Sequence, residues 1–200
     1  MSERLKQAKI QTFSGRLISP LSLSPLDVNK EDICHALCNK CRFTGHTIQF
    51  YSVGQHSVYV SETAEKLGIA LGLLKSEVVY IAEWGLWHDS DEFCLPDIPT
   101  PLKILPEFEF LRKFGKEITK VVMPVLGLGV DEPPIVKQAD RILLVTEKRD
   151  VMSKLEFGYH STATYSDEPL TKKIVALTPQ KAKKLFINRM NKIENMKKSQ

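Results

Sequence analysis

Trp84–Lys103 reads WGLWHDSDEFCLPDIPTPLK, and the rest of the chain is organised around it. An apolar helical run ends in adjacent His88 and Asp89, with Asp91, Glu92 and Asp97 behind them. A proline-punctuated turn then carries Thr100 and Lys103. Neighbouring helical residues lie about 100° apart, so His88 and Asp89 lean toward one point. Glu92 falls at i+4 from His88 and i+3 from Asp89, over the same surface. A His and a carboxylate suit a borderline divalent metal, and a third carboxylate can handle the proton of a water. The alternative on spacing alone is a solvated acidic helix end before a loop, and two further ligands elsewhere would decide between them.

The central helix is expected over 77–93, capped by Ser76 with Glu77 in its first turn. Val78, Val79, Ile81, Ala82, Leu86 and both tryptophans make it a buried element. A buried helix ending in ionisable groups is costly unless they are paired or bound to metal. Upstream, Tyr51-Ser52 introduces a helix that runs to about Leu67 and stops at Gly68, with Ser52 and Gln55 as a capping box. His56 lies in its first turns beside an apolar stripe of Val53, Val60 and Ala64, where a core or surface role competes with ligation. Downstream, a helix over 107–123 turns Phe108, Leu111, Phe114, Ile118 and Val122 inward before Pro124 and Gly127. Pro133-Pro134 then open a helix over 134–155. In it Lys137 and Asp140 lie three apart, as a surface ion pair or as parts of a site.

Further out, Ile10–Phe13 and Arg16–Ile18 flank Ser14-Gly15 as a small hairpin. Asn29 caps a helix over 30–42 that holds Cys34, Cys38 and Cys41. Their spacing admits an iron–sulfur cluster or zinc, but the surrounding apolar helical pattern favours buried core thiols. Residues 158–176 are polar and read as an excursion or insert. Thr178-Pro179 opens a last helix to about 195, with Ala182, Phe186, Met190 and Ile193 on its apolar side. The fold class is therefore all-α (mainly helical) with a small N-terminal β-hairpin. The chain divides into a leader (1–9), a main domain (10–157), a polar loop or insert (158–177) and a basic C-terminal helix and tail (178–200).

Two hundred residues suit one core, and 42% hydrophobic with 26% charged residues is the balance of a soluble globular protein. No apolar run approaches a membrane span, MSERLKQAKIQTF lacks the apolar core of a signal peptide, and a cytoplasmic site with reduced thiols follows as the expectation. The net charge of +4 is uneven. Residues 171–200 carry nine Lys or Arg against Glu194 alone, a local balance of +8, so residues 1–170 sum to −4. A Lys-rich end admits nucleic-acid binding. The alternative is an amphipathic helix packed on the body or a second subunit, favoured by the lack of interleaved aromatics beyond Phe186.

His56, His88-Asp89 and Asp140 together spell H…HD…D across three helices. With them stand Asp97-Ile98-Pro99-Thr100-Pro101-Leu102-Lys103, Lys137-Gln138-Ala139-Asp140, Cys41-Arg42-Phe43-Thr44-Gly45-His46 and Phe50-Tyr51-Ser52-Val53-Gly54-Gln55-His56-Ser57. Over roughly residues 11–152 the chain resembles the HD-domain metal-dependent phosphohydrolases, in particular the phage dATP triphosphohydrolases and, more distantly, the bacterial HD-domain 5′-deoxynucleotidases. The resemblance implies an HD-type helical bundle with His56, His88, Asp89 and Asp140 as metal ligands. It places Glu92 and Asp97 as the acidic catalytic residues and Arg42, Lys103 and Lys137 on the substrate's phosphates. Phe43 and Gly45 fall beside the base, with Pro101 as a further pocket wall. It also implies a homo-oligomer, a dimer or hexamer, in the host cytoplasm if the source is a phage.

Two imidazoles and two carboxylates suit cobalt, manganese, zinc or iron, with magnesium at most a second ion. Such a metal acidifies its water and polarises a phosphate. Glu92 would orient that water or move its proton, with Asp97 in competition for the role, and Thr100 could donate a hydrogen bond to the phosphates. The expected reaction is hydrolysis of a 2′-deoxynucleotide, dATP to deoxyadenosine and triphosphate first among them, in control of a phage nucleotide pool. A 5′-deoxynucleoside monophosphatase is the alternative on the same site. A nuclease or nucleic-acid-binding protein using the basic end, and a metal-bound protein without turnover, are the alternatives of other classes.

Overall fold

The computed structural model describes residues 8–156 and 167–199, apart from the side chain of Thr100, on which one expected phosphate contact falls. Two short antiparallel strands, β1 (Ile10–Gln11) and β2 (Leu17–Ile18), pair Ile10 with Ile18. Gly15 supplies the positive φ of 83° that their turn requires. Seven α-helices follow: α1 (Lys30–Asn39), α2 (Val53–Ala70), α3 (Lys75–Trp87), the single turn α4 (Thr100–Lys103), α5 (Glu109–Val125), α6 (Pro134–Asp150) and α7 (Pro179–Lys198). The described chain is mainly helical with one small hairpin, as its periodicity predicts. None of these helices is long and apolar enough to cross a membrane.

Helix α2 is the hub, packing against α1, α3, α6 and α7. Its buried residues run almost all round its first half, from Val53 to Val58, so it is a core helix and not a surface one. Close approach of α1 is possible because residue 54 is glycine: a Cβ there would meet Cys38 Sγ at 2.5 Å and Cys38 Cα and N at 3.0 Å. Gly54→Ala is expected to force the two helices apart and cost about 1–3 kcal/mol, measurable as a lower melting temperature. An unchanged melting temperature would show that the contact is loose. Cys34 and Cys38 are buried free thiols in this interface, the core role expected for them, whereas α1 ends at Asn39, not 42, and leaves Cys41 beyond it and half-buried.

Several predicted boundaries are corrected. Helix α2 continues through Gly68 to Ala70, and the chain turns at Gly72, whose φ is 71°. Helix α3 starts at Lys75 with Leu74 in the capping position, not Ser76; Glu77 Oε2 accepts the Leu74 N–H at 2.9 Å. It ends at Trp87, six residues short of the expected 93, and a 3₁₀ turn over Ser90–Phe93 replaces its last turns. Asp89, Ser90 and Asp91 are short polar residues that compete with helical backbone bonding, which explains the early stop. Helix α6 likewise ends at Asp150, not 155. Ser52 caps α2 by accepting the Gln55 N–H at 3.0 Å, but Gln55 does not complete the box. Its amide instead donates to Val175 O and accepts from Leu177 N, at 2.8 and 2.9 Å.

That pairing also involves the stretch read as an excursion or insert, 158–176, of which only 167–176 is described. Residues 157–166 lie outside the described residues, but 167–177 run along the body. Ile174 is buried, its N–H donates to Asp150 Oδ2 at 2.7 Å, and Arg149 donates to Leu170 O.

The basic C-terminal helix α7 is embedded. Phe186 is fully buried, with the Trp87 ring edge-on to it at 5.1 Å. Its cations meet acids of the body: Lys183 with Glu31, Arg189 and Lys192 with Glu65, and Lys197 with Glu83. Four of the nine Lys and Arg of residues 171–200 thus meet a carboxylate of the body. Arg189 is 4% exposed and also donates to Ser61 Oγ and Ser61 O, at 2.8 and 2.9 Å. Arg189→Met is expected to cost about 3 kcal/mol, because Glu65 and the Ser61 carbonyl lose a buried partner. Burial raises the Glu65 carboxyl, but Arg189 and Lys192 outweigh it and hold it below its ordinary 4.5. The stabilisation is therefore complete above that value and is lost as pH falls through the lower folded one. Acid titration of Arg189→Met should show a flatter loss of stability than the unaltered protein; identical slopes would refute the pairing.

Candidate metal centre and active site

Three elements bring the H…HD…D residues together. His56 lies in the first turns of α2 and is fully buried. His88 and Asp89 follow the end of α3 at Trp87, and Asp140 lies two turns into α6. His56 Nε2 is 3.2 Å from His88 Nε2, 3.1 Å from Asp140 Oδ1 and 3.9 Å from Asp89 Oδ2. His88 Nε2 is 3.1 Å from Asp89 Oδ2. His56, His88 and Asp89 form a group whose ligand atoms all lie within 4.8 Å of one another.

The outer ring nitrogens settle what the inner ones offer. His88 Nδ1 lies 2.8 Å from Gly85 O, and a carbonyl only accepts, so this nitrogen carries the hydrogen. His56 Nδ1 lies 2.6 Å from Glu147 Oε1. Burial pushes the Glu147 carboxyl up, but Arg42 and His56 outweigh it, so Glu147 is a carboxylate and His56 Nδ1 is its donor. Two Nε2 lone pairs then face each other across 3.2 Å beside two carboxylates. That arrangement is repulsive unless a cation lies among them. A proton is one such cation: burial lowers the His88 pKa, yet Asp89 outweighs it and pushes it up to about 10. Burial also raises Asp89, and His88, His56 and Arg42 together drive it well below the usual carboxylate range. A divalent ion is the other, and two imidazoles with two carboxylates are a donor set for zinc, cobalt, manganese or iron. The residues present fit the group.

The remaining predicted residues are placed less uniformly. Arg42 stands half-buried beside the cluster, with Nη2 on Glu147 Oε2 at 3.0 Å, Nη1 3.6 Å from Asp89 Oδ2, and a buried Nε that has no partner among the described residues. Glu92 is 4% exposed; Oε1 lies 3.4 Å from Lys103 Nζ and Oε2 has no partner among the described residues. Burial first, then Asp89 and Asp97, raise the Glu92 carboxyl to about 8. Lys40 holds this segment by donating to the carbonyls of Glu92 and Leu95. Asp97 is half-buried. A cleft of about 540 Å³ opens from Glu92 and is lined also by Asp91, Leu95, Phe108, Leu111, Lys103 and Lys137. Lys137 faces it rather than pairing with Asp140, whose partner is His56.

Phe43, Gly45 and Pro101 lie outside that lining. Phe43 and Gly45 form a 3₁₀ turn in which Phe43, Thr44 and Gly45 all have positive φ, near 53°, 52° and 83°. The Arg42 guanidinium stacks over the Phe43 ring at 5.4 Å from its centroid. Pro101 is exposed on α4.

Sequence reasoning missed Glu147, Tyr51 and Lys40. One signal was present for Glu147: it follows Asp140 by seven residues, two turns along the same face of α6. For Tyr51 and Lys40 there was none, since each acts through contacts far away in sequence.

No protein-family model matches the chain. The Escherichia coli protein YfdR is 33% identical over 201 residues, covering 94% of this chain and 97% of YfdR. A Rhodobacter capsulatus protein is 33% identical over 140 residues, covering 68% of this chain and 66% of its own length. Among solved structures, the cyanophage S-2L HD phosphohydrolase DatZ, bound to dA and one catalytic Zn²⁺ ion, superposes with a TM-score of 0.54 at 17% identity. The match covers 86% of this chain and 85% of DatZ. By identity over nearly both whole chains this protein belongs to the family of YfdR, and by its architecture it has the fold of the HD phosphohydrolases.

Proposed function

We propose that this chain is a metal-dependent phosphohydrolase of 2′-deoxynucleotides, with His56, His88, Asp89 and Asp140 as the metal ligands. One observation carries the reading: the Nε2 atoms of two imidazoles converge on two carboxylates beside an unpartnered buried donor, Arg42 Nε, and an unpartnered buried acceptor, Glu92 Oε2. A phosphate oxygen satisfies the donor, and a hydroxyl or water satisfies the acceptor. A structural metal site would need neither. DatZ, which shares the fold, is bound to dA and zinc, and this supports a deoxynucleotide substrate and a divalent ion.

A divalent ion there would supply an acidified water and positive charge at the phosphate. The chain's own residues supply the rest. Arg42 offers Nε to a phosphate oxygen while Glu147 retains Nη2. Lys103 and Lys137 bring positive charge along the cleft, where phosphates beyond the first would lie. Glu92, with its carboxyl raised to about 8, holds a proton near neutral pH that it can give to the leaving oxygen. Asp97, half-buried, is the second candidate. Phe43, Gly45 and Pro101 remain the proposed base contacts. A cytoplasmic homo-oligomer is the setting this reading implies.

dATP, released as deoxyadenosine and triphosphate, is the first substrate to test, and 5′-deoxynucleoside monophosphates are the second. Nucleic acid is disfavoured because Lys183, Arg189, Lys192 and Lys197 of the basic helix already pair with acids of the body. The test is a product assay on protein stripped of metal and reloaded with cobalt, manganese or zinc. Each dNTP, NTP and dNMP is offered separately, and the products are resolved by chromatography. Deoxyadenosine with intact triphosphate supports the first substrate, and single phosphate from monophosphates the second. No turnover of any nucleotide would sink the proposal.

A further inference from the structure

We propose that Glu147 is a positioning residue that sets the spacing between the metal site and the phosphate-gripping guanidinium; the inference rests on the metal centre described above. Glu147 is fully buried on α6, and its two oxygens are divided between two tasks. Oε1 accepts from His56 Nδ1 at 2.6 Å and from Tyr51 OH at 2.9 Å. Oε2 accepts from Arg42 Nη2 at 3.0 Å.

Donors on both oxygens stop the carboxylate from rotating, so it holds the imidazole and the guanidinium in one fixed relation. The bond to His56 Nδ1 selects the tautomer that leaves Nε2 free for a metal, and a carboxylate there raises the basicity of the ring. The bond to Arg42 uses Nη2 and thereby decides which edge of the guanidinium is left over, the edge that carries the unpartnered Nε. Asp140 and Glu147, two turns apart on one face of α6, make that helix the source of both a ligand and the brace of another ligand. Tyr51, itself fully buried, fills the remaining lone pair of Oε1 and keeps water out of the contact.

A buried Arg–Glu pair kept only for folding would behave differently, because its loss would lower stability without changing the affinity of the folded protein for metal or phosphate. The experiment therefore reads affinity. Glu147→Gln keeps the shape but removes the charge, and the double variant Arg42→Met with Glu147→Gln also removes the cation that would be left unpaired. Cobalt affinity is measured by competition with a chelator, and inorganic phosphate is titrated into the cobalt-saturated protein. Both variants are expected to bind cobalt about 10- to 100-fold more weakly than the unaltered protein. Phosphate binding is expected to weaken in Glu147→Gln even at saturating cobalt, with Arg42 still present. A folded variant that binds cobalt as tightly as the unaltered protein overturns the inference, as does failure of both variants to fold, which would make the pair structural. An unaltered protein that binds neither cobalt nor zinc overturns the metal centre itself, a result told apart from the others by the control alone.

Discussion

Asp89→Asn and His88→Ala are expected to lose nucleotide hydrolysis by on the order of 10³-fold or more, together with the bound metal. Each removes a donor atom from the group of His56, His88 and Asp89, whose ligand atoms all lie within 4.8 Å of one another. The Asp89 change also withdraws a negative charge from between two imidazoles and Arg42, so the attraction for any cation falls at the same time. The fold should survive, because the hydrophobic contacts of α2, α3 and α6 do not pass through these side chains. The cost in the metal-free protein is expected to be about 1–3 kcal/mol, for the ion pairs Asp89 makes. Metal content by elemental analysis, activity and melting temperature are measured on the same preparations. A variant that is active without metal would remove these residues from the site.

Glu92→Gln is expected to separate chemistry from binding. The proposed role is proton transfer to the leaving oxygen, and groups in that role contribute about 10²- to 10⁴-fold, so kcat should fall in that range. Metal affinity and KM should change little, since Glu92 is not among the proposed ligands. The same substitution has a signature in the metal-free protein. Burial and the neighbouring Asp89 raise the carboxyl from an ordinary 4.5 to about 8. Between those values the folded protein holds a proton that the unfolded chain has released, so stability falls as pH rises from about 4.5 to 8 and levels off above. Glutamine cannot titrate, and the variant should lose this part of the slope. If kcat is unchanged in Glu92→Gln but falls in Asp97→Asn, the proton role belongs to Asp97.

How much of this was legible beforehand differs from residue to residue. His88 and Asp89 were adjacent at the end of an apolar run, and the cost of burying them unpaired was visible without coordinates. His56 and Asp140 acquired meaning only as members of a pattern, since a lone His or Asp on a helix has many ordinary explanations. The Ser76 cap was misread because an equally local bond, Glu77 accepting the Leu74 N–H, starts the helix earlier, whereas the 3₁₀ turn that replaces the last turns of α3 is held by Lys40, distant in sequence. Gln55 looked like half of a capping box, and its amide was instead drawn to residues 175–177, some 120 positions away.

By itself the sequence determined the helical periods, the hairpin turn at Ser14-Gly15, the buried character of α3 and the residue types able to hold a metal. These follow from local spacing and side-chain chemistry, which no partner is needed to express. Only the tertiary structure decided that the Nε2 atoms of His56 and His88 face each other across 3.2 Å, that Glu147 lies between His56 and Arg42, and that Lys137 faces a cleft while Asp140 meets His56. It also decided that the basic C-terminal helix meets acids of the body. Each of these joins groups tens of residues apart, and which of many such groups meet is set by the packing of whole helices around α2.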